Sequence, residues 1–99
     1  MKYKRTDDGD ETTLEIEGTL DAVTAPDLRT VVDMLVNERR KSVTLELSAL
    51  RLIDSSGVGA IVSLYKRLRA QGGQVTVKGL KDQPLAIFRL LRLDRVFAI

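Results

Sequence analysis

The spacing of the hydrophobic residues switches repeatedly between two periods along this chain, and that alternation limits the folds open to it. Thr13-Leu14-Glu15-Ile16-Glu17-Gly18 alternates apolar and charged residues, the mark of a half-buried strand. Leu28, Val31, Val32, Leu35 and Val36 then recur at helical spacing. Ser42-Val43-Thr44-Leu45-Glu46-Leu47 is β-branched and returns to the strand period. A second helical stripe follows, made of Val58, Ala60, Ile61, Leu64 and Leu68, and after it the strand Gln74-Val75-Thr76-Val77-Lys78. A third helix starts at Asp82 and Pro84, with Leu85, Ile87, Phe88 and Leu91 on its apolar side. Strands alternating with helices build an α/β sheet of mostly parallel strands.

Local signals mark the boundaries. Thr6 to Thr13 holds Asp7, Asp8, Gly9, Asp10 and Glu11, which reads as a solvated hairpin turn joining a strand near Lys2–Arg5 to the one after it. Thr24 is placed to cap the first helix, Pro26 suits its first turn, and Asp27 favours its positive end. That helix stops between Asn37 and Lys41. Ser48 to Asp54 reads as a connection, Ser55 opens the second helix, and Gly72-Gly73 ends it. Val96 to Ile99 reads as a last short strand. The expected order is β-β-α-β-α-β-α-β: one mixed, mostly parallel sheet of four to five strands with an antiparallel opening pair, packed with three to four helices. At 99 residues the chain holds one core, so residues 1–99 are expected to form a single domain.

Composition removes several kinds of chemistry. The chain has no Cys, hence no disulfide, thiol nucleophile or thiolate metal site, and no His, hence no imidazole base or ordinary zinc site. A carboxylate-only magnesium site stays formally open, but no metal or other cofactor is expected. No apolar run approaches the ~20 residues of a membrane span, so no membrane insertion is expected. The polar start Met-Lys-Tyr-Lys-Arg-Thr-Asp-Asp lacks a signal-type apolar segment, which points to a cytoplasmic protein. Net charge is +2, unevenly spread: Met1–Ala49 carries 7 basic and 11 acidic residues, Leu50–Ile99 carries 9 and 3. The basic half reads either as a solvated surface or as a face for an anionic partner. With two Tyr, two Phe and no nucleic-acid motif, direct nucleic-acid binding is not expected.

The stretch that carries chemistry is Ile53-Asp54-Ser55-Ser56-Gly57-Val58-Gly59, where a connection meets a helix. A hydroxyl there sits beside unpaired backbone N–H groups at the positive end of a helix dipole, where a phosphate would find donors. Gly57 and Gly59 leave room for a phosphate or for another protein's backbone. The plainer reading is an N-cap followed by glycines used for helix–sheet packing. The stretch lacks the Gly-Lys-Ser/Thr ending of a P-loop, and without His a serine nucleophile has no base.

This segment, through the Gly72-Gly73 turn, resembles the signature of STAS-domain proteins of the anti-sigma factor antagonist type: an apolar residue, Asp-Ser-Ser/Thr-Gly-apolar-Gly, then an amphipathic helix. A second mark of that family, Gly-x-Leu-Asp before a Pro-containing helix start, is Gly18-Thr19-Leu20-Asp21 with Ala25-Pro26. The order of elements matches over nearly the whole chain. The resemblance implies a STAS fold and a binding protein rather than an enzyme. It implies that Ser55 accepts a phosphoryl group from a partner that is both anti-sigma factor and serine kinase, of the GHKL type. It further implies that the unphosphorylated form binds that partner and releases a sigma factor, and that a phosphatase reverses the modification. Asp21 and Asp54 would lie by the phosphorylation site, with Ser56, Gly57 and Gly59 on the same docking edge.

The same fold also serves as a non-phosphorylated STAS subunit of membrane ABC-transporter complexes that move lipids; the intact Asp54-Ser55-Ser56-Gly57 favours the antagonist. Family members usually continue into a further helix, whereas this chain stops at Phe97-Ala98-Ile99. An uncovered surface there would suit a partner or a homodimer. Arg51, Lys66, Arg67 and Arg69 read as solvated residues or as contacts to an acidic or phosphorylated partner.

Overall fold

The computed structural model describes residues 1–99. Strands β1 (Lys2–Asp8) and β2 (Glu11–Leu20) form the antiparallel opening pair, with Asp8 opposite Glu11 and Lys2 opposite Glu17. Gly9 turns the hairpin at a φ of 60°. Helix α1 (Ala25–Asn37) then leads to β3 (Ser42–Glu46), which pairs with β2 in parallel. After β4 (Leu50–Ile53) come α2 (Ser55–Ala70), β5 (Gln74–Lys78), α3 (Asp82–Leu90) and α4 (Leu93–Val96). β5 pairs with β3 in parallel, so the sheet order is β1-β2-β3-β5, and β4 also lies on β2.

Alternation decides which side chains are covered. Leu14 and Ile16 of β2, Val43 and Leu45 of β3 and Val77 of β5 share one face and are buried. They join Leu28, Val31, Val32 and Leu35 of α1 and Ile61, Leu64 and Leu68 of α2 in one core cluster. The other face carries Glu15, Glu17 and Lys78 in solvent. Polar residues on the uncovered face and aliphatic ones beneath the helices fix the register, because a one-residue slip would exchange the two sets.

Three expectations need correction. Ser48–Asp54 is not a plain connection: Leu50–Ile53 is the strand β4, parallel to β2, with Gly18 opposite Leu50 and Leu20 opposite Ile53. It takes up the line of β3 along β2 after a bulge between Gly18 and Thr19, where Gly18 holds a φ of 93°. Four residues are too few to show a strand period, and the pairing depends on the far end of β2. Val96–Ile99 is not a strand either. Arg92, in the left-handed region at φ 59°, breaks the helix after α3, and α4 follows. Phe97 is buried because its ring meets Tyr65 edge-on at 5.1 Å and Phe88 at 5.9 Å. Leu91, expected on the apolar side of the third helix, is exposed, as is Leu90.

Candidate functional site

The parallel pair β2–β4 brings two carboxylates to one end of the sheet. Leu20 and Ile53 are partners, and the residue after each is an aspartate, Asp21 and Asp54. The Asp54 N–H donates to the Leu20 carbonyl at 3.1 Å, which ties the two strand ends together. Both helices, α1 and α2, therefore begin at this end.

Asp54 is the N-cap of α2. Its backbone is extended (φ −117°, ψ −173°), and its Oδ1 accepts the N–H groups of Ser56 at 2.8 Å and Gly57 at 3.2 Å. That satisfies two of the donors a helix start leaves free. Ser55 is the first residue of α2 and is exposed; Ser56 beside it is half-buried. The cap is thus Asp54, and neither serine is needed for it.

Asp21 makes a tight turn into α1. Its Oδ1 accepts the N–H groups of Val23 at 2.9 Å and Thr24 at 3.1 Å. The Thr24 N–H is the main reason its carboxyl titrates below the usual range, against some desolvation, and the Val23 N–H adds to it. Thr24 does not cap α1 with its side chain. Its hydroxyl donates to the Thr19 carbonyl at 3.0 Å and accepts the Asp21 N–H at 2.9 Å, closing the loop upon itself.

The two glycines differ in kind. Gly57 is buried, and a Cβ there would stand 2.7 Å from both Leu20 Cγ and the Leu20 carbonyl oxygen and 2.9 Å from Ile53 Cγ1. Its missing side chain lets α2 settle on the ends of β2 and β4. A Cβ on Gly59 would meet only the guanidinium tip of Arg29 of α1, at 3.3 Å.

Two contributors carried no motif. Gln83 of α3 donates its side-chain amide to the Ile53 carbonyl at 2.9 Å and accepts the Ile53 N–H at 3.0 Å, bracing the residue before Asp54. Val23 and Leu52 are the second: apolar residues close in sequence to Asp21 and Asp54, 83% and 48% exposed. These three residues are of ordinary types and give no sequence signal of their own. No helix is long and apolar enough to cross a membrane.

The sequence model of the STAS domain matches residues 2–99. The anti-sigma F factor antagonist of Paenibacillus polymyxa is 30% identical over 87 residues, 87% of this chain and 72% of that protein. The anti-sigma-B factor antagonist of Listeria monocytogenes is 25% identical over 92 residues, 93% of this chain and 81% of that protein. The crystal structure of an anti-sigma factor antagonist from Mycobacterium paratuberculosis superposes with a TM-score of 0.83 at 23% identity, covering 97% of this chain and 81% of that one.

Proposed function

Because the chain belongs to the STAS domain family, we propose that it works as an anti-sigma factor antagonist whose docking to an anti-sigma factor is switched by phosphorylation of Ser55. The observation that carries this reading is the exposed Ser55 at the first position of α2, next to the cap Asp54 and at the sheet end that also carries Asp21. Its hydroxyl stands clear of the core, on a helix already capped by another side chain.

The partner is an anti-sigma factor that is also a serine kinase. The Ser55 hydroxyl attacks the γ-phosphorus of kinase-bound ATP, ADP leaves, and the hydroxyl proton passes to a base of the kinase. The chain itself supplies only the acceptor, since positioning and charge stabilisation belong to the kinase in such transfers. A phosphatase returns the hydroxyl by hydrolysis. Asp21, Asp54, Ser56 and Gly59 form the docking edge with the apolar Val23 and Leu52, and Gly57 supports that edge from beneath.

The electrostatics favour a switch. A phosphoserine brings about −1.5 to −2 charges to an edge that already holds two carboxylates. Like charges brought together at an interface cost several kcal/mol, and each ~1.4 kcal/mol is a tenfold loss of affinity. Titration calorimetry with the anti-sigma factor kinase of the source organism tests this. The unmodified chain is expected to bind, and the Ser55-phosphorylated chain to bind at least tenfold more weakly. Equal affinity of the two forms overturns the reading.

A further inference from the structure

We propose that Arg29 of α1 is the counter-ion of phosphorylated Ser55, holding the phosphate across the seam between α1 and α2. The inference rests on the assignment of Ser55 as the modified residue, but not on any kinase. Gly59 lies four residues after Ser55 on α2, hence on the same helix face, where Cβ atoms stand about 5–6 Å apart. The place a side chain of residue 59 would fill is met by Arg29 Nη2, 3.3 Å from the Cβ position. The guanidinium therefore lies against the stripe of α2 that begins with Ser55.

Direction agrees with position. α1 and α2 both start from the end of the sheet where the parallel strands β2 and β4 finish. Gly59 is one helical turn into α2, so the Arg29 tip lies about one turn from Ser55. The cation is also uncommitted. The ion pairs of the chain join Arg5 to Asp7 and Glu38, Lys41 to Asp10, and Arg67 to Asp33; Arg29 belongs to none of them.

Asp54 already accepts the N–H groups of Ser56 and Gly57, so these donors are not vacant for a phosphate. Asp21 and Asp54 oppose a dianion at this end. A guanidinium that meets phosphate oxygens in its planar fork offsets them. Gly59 has a reason in this arrangement: a side chain there would crowd the guanidinium, since its Cβ alone stands 3.3 Å from Arg29 Nη2.

The test installs phosphoserine at position 55 by genetic encoding, so that no kinase is required, and follows its phosphorus resonance against pH. In the parent the second ionisation is expected below its ordinary value of about 6. Arg29→Gln is expected to move it up by about half a pH unit or more, toward that value. Arg51→Gln, which removes the cation three residues before Asp54, is expected to leave it in place. Identical titrations in the parent and Arg29→Gln, or a shift caused by Arg51→Gln alone, overturn the proposal. If no kinase of the source organism phosphorylates Ser55, the switch fails while this titration still reads Arg29.

Discussion

Gln83 pairs with Ile53 as a neighbouring strand would, its side-chain amide meeting both the N–H and the C=O of that residue. β4 lies on β2, and Gln83 supplies partners for backbone groups that β2 leaves open. A primary amide has the donor and acceptor of a peptide group, so α3 closes the strand without being one. The residue held in this way is the last before Asp54, so the site depends on a helix that carries none of its own groups.

Gln83→Ala is therefore expected to destabilise the fold by about 1–3 kcal/mol, the range for leaving a part-buried polar group without its partner. Denaturant unfolding reads the loss. Hydrogen exchange of the Ile53 amide is expected to speed up, while that of Leu45 in β3 follows the global stability alone.

Gly57→Ala and Gly59→Ala are expected to act in opposite directions. At residue 57 the new methyl would collide with Leu20 Cγ and the Leu20 carbonyl, and Leu20 is fully buried. Overpacking of that kind costs about 1–3 kcal/mol. At residue 59 the methyl meets the mobile end of an exposed arginine, so the helix preference of alanine, up to about 1 kcal/mol, prevails. Thermal melting of the two variants separates them: one melts below the parent and the other at or above it.

Acid stability is expected to depend on Arg5. Its guanidinium bonds both oxygens of Asp7, at 3.0 and 3.1 Å, and both oxygens of Glu38, at 3.0 and 2.6 Å. Arg5 is the main reason both carboxyls titrate below their ordinary range; Thr12 adds to this at Asp7. A carboxyl whose folded pKa is depressed stabilises the fold above its unfolded pKa, near 4. That stability is lost as the pH falls through the lower, folded value. Unfolding midpoints are thus expected to drop below about pH 4, and Arg5→Gln is expected to flatten that acid limb while lowering the neutral-pH value. An unchanged acid limb in Arg5→Gln would assign the loss to other carboxylates, of which Asp21 and Glu46 are also depressed.

Most of the architecture was legible because it rests on period. Leu14 and Ile16, Val43 and Leu45, and the stripes Leu28–Val36 and Val58–Leu68 read directly as strand and helix faces, and all are buried as such. β4 was not legible, since Leu50-Arg51-Leu52-Ile53 is too short for a strand period to show and exists as a strand only because β2 continues past the bulge at Gly18. The C-terminal strand failed for the reverse reason: an apolar tail signals burial, and Phe97 is buried, but aromatic packing on Tyr65 and Phe88 achieves it without a sheet. At the site, Asp21, Asp54 and Ser55 were marked by their motifs. Gln83, and Arg29 in the role proposed for it, were not, because their contacts cross 30 residues of chain and carry no local pattern.

Ser55→Ala is expected to fold, because Asp54 and not Ser55 caps α2, and to bind the anti-sigma factor kinase with or without ATP. Ser55→Asp is expected to bind at least tenfold more weakly than the parent. Calorimetric titration of both variants, with far-ultraviolet circular dichroism to establish folding, reads the two effects separately.

The most direct test is to incubate the chain with the anti-sigma factor serine kinase of its source organism and ATP, then fragment the peptide that runs from Leu52 to Lys66 in a mass spectrometer. The account predicts one added phosphate, carried by Ser55 and absent from Ser55→Ala. A phosphate on Ser56 or Ser63 instead, or none at all, would contradict it.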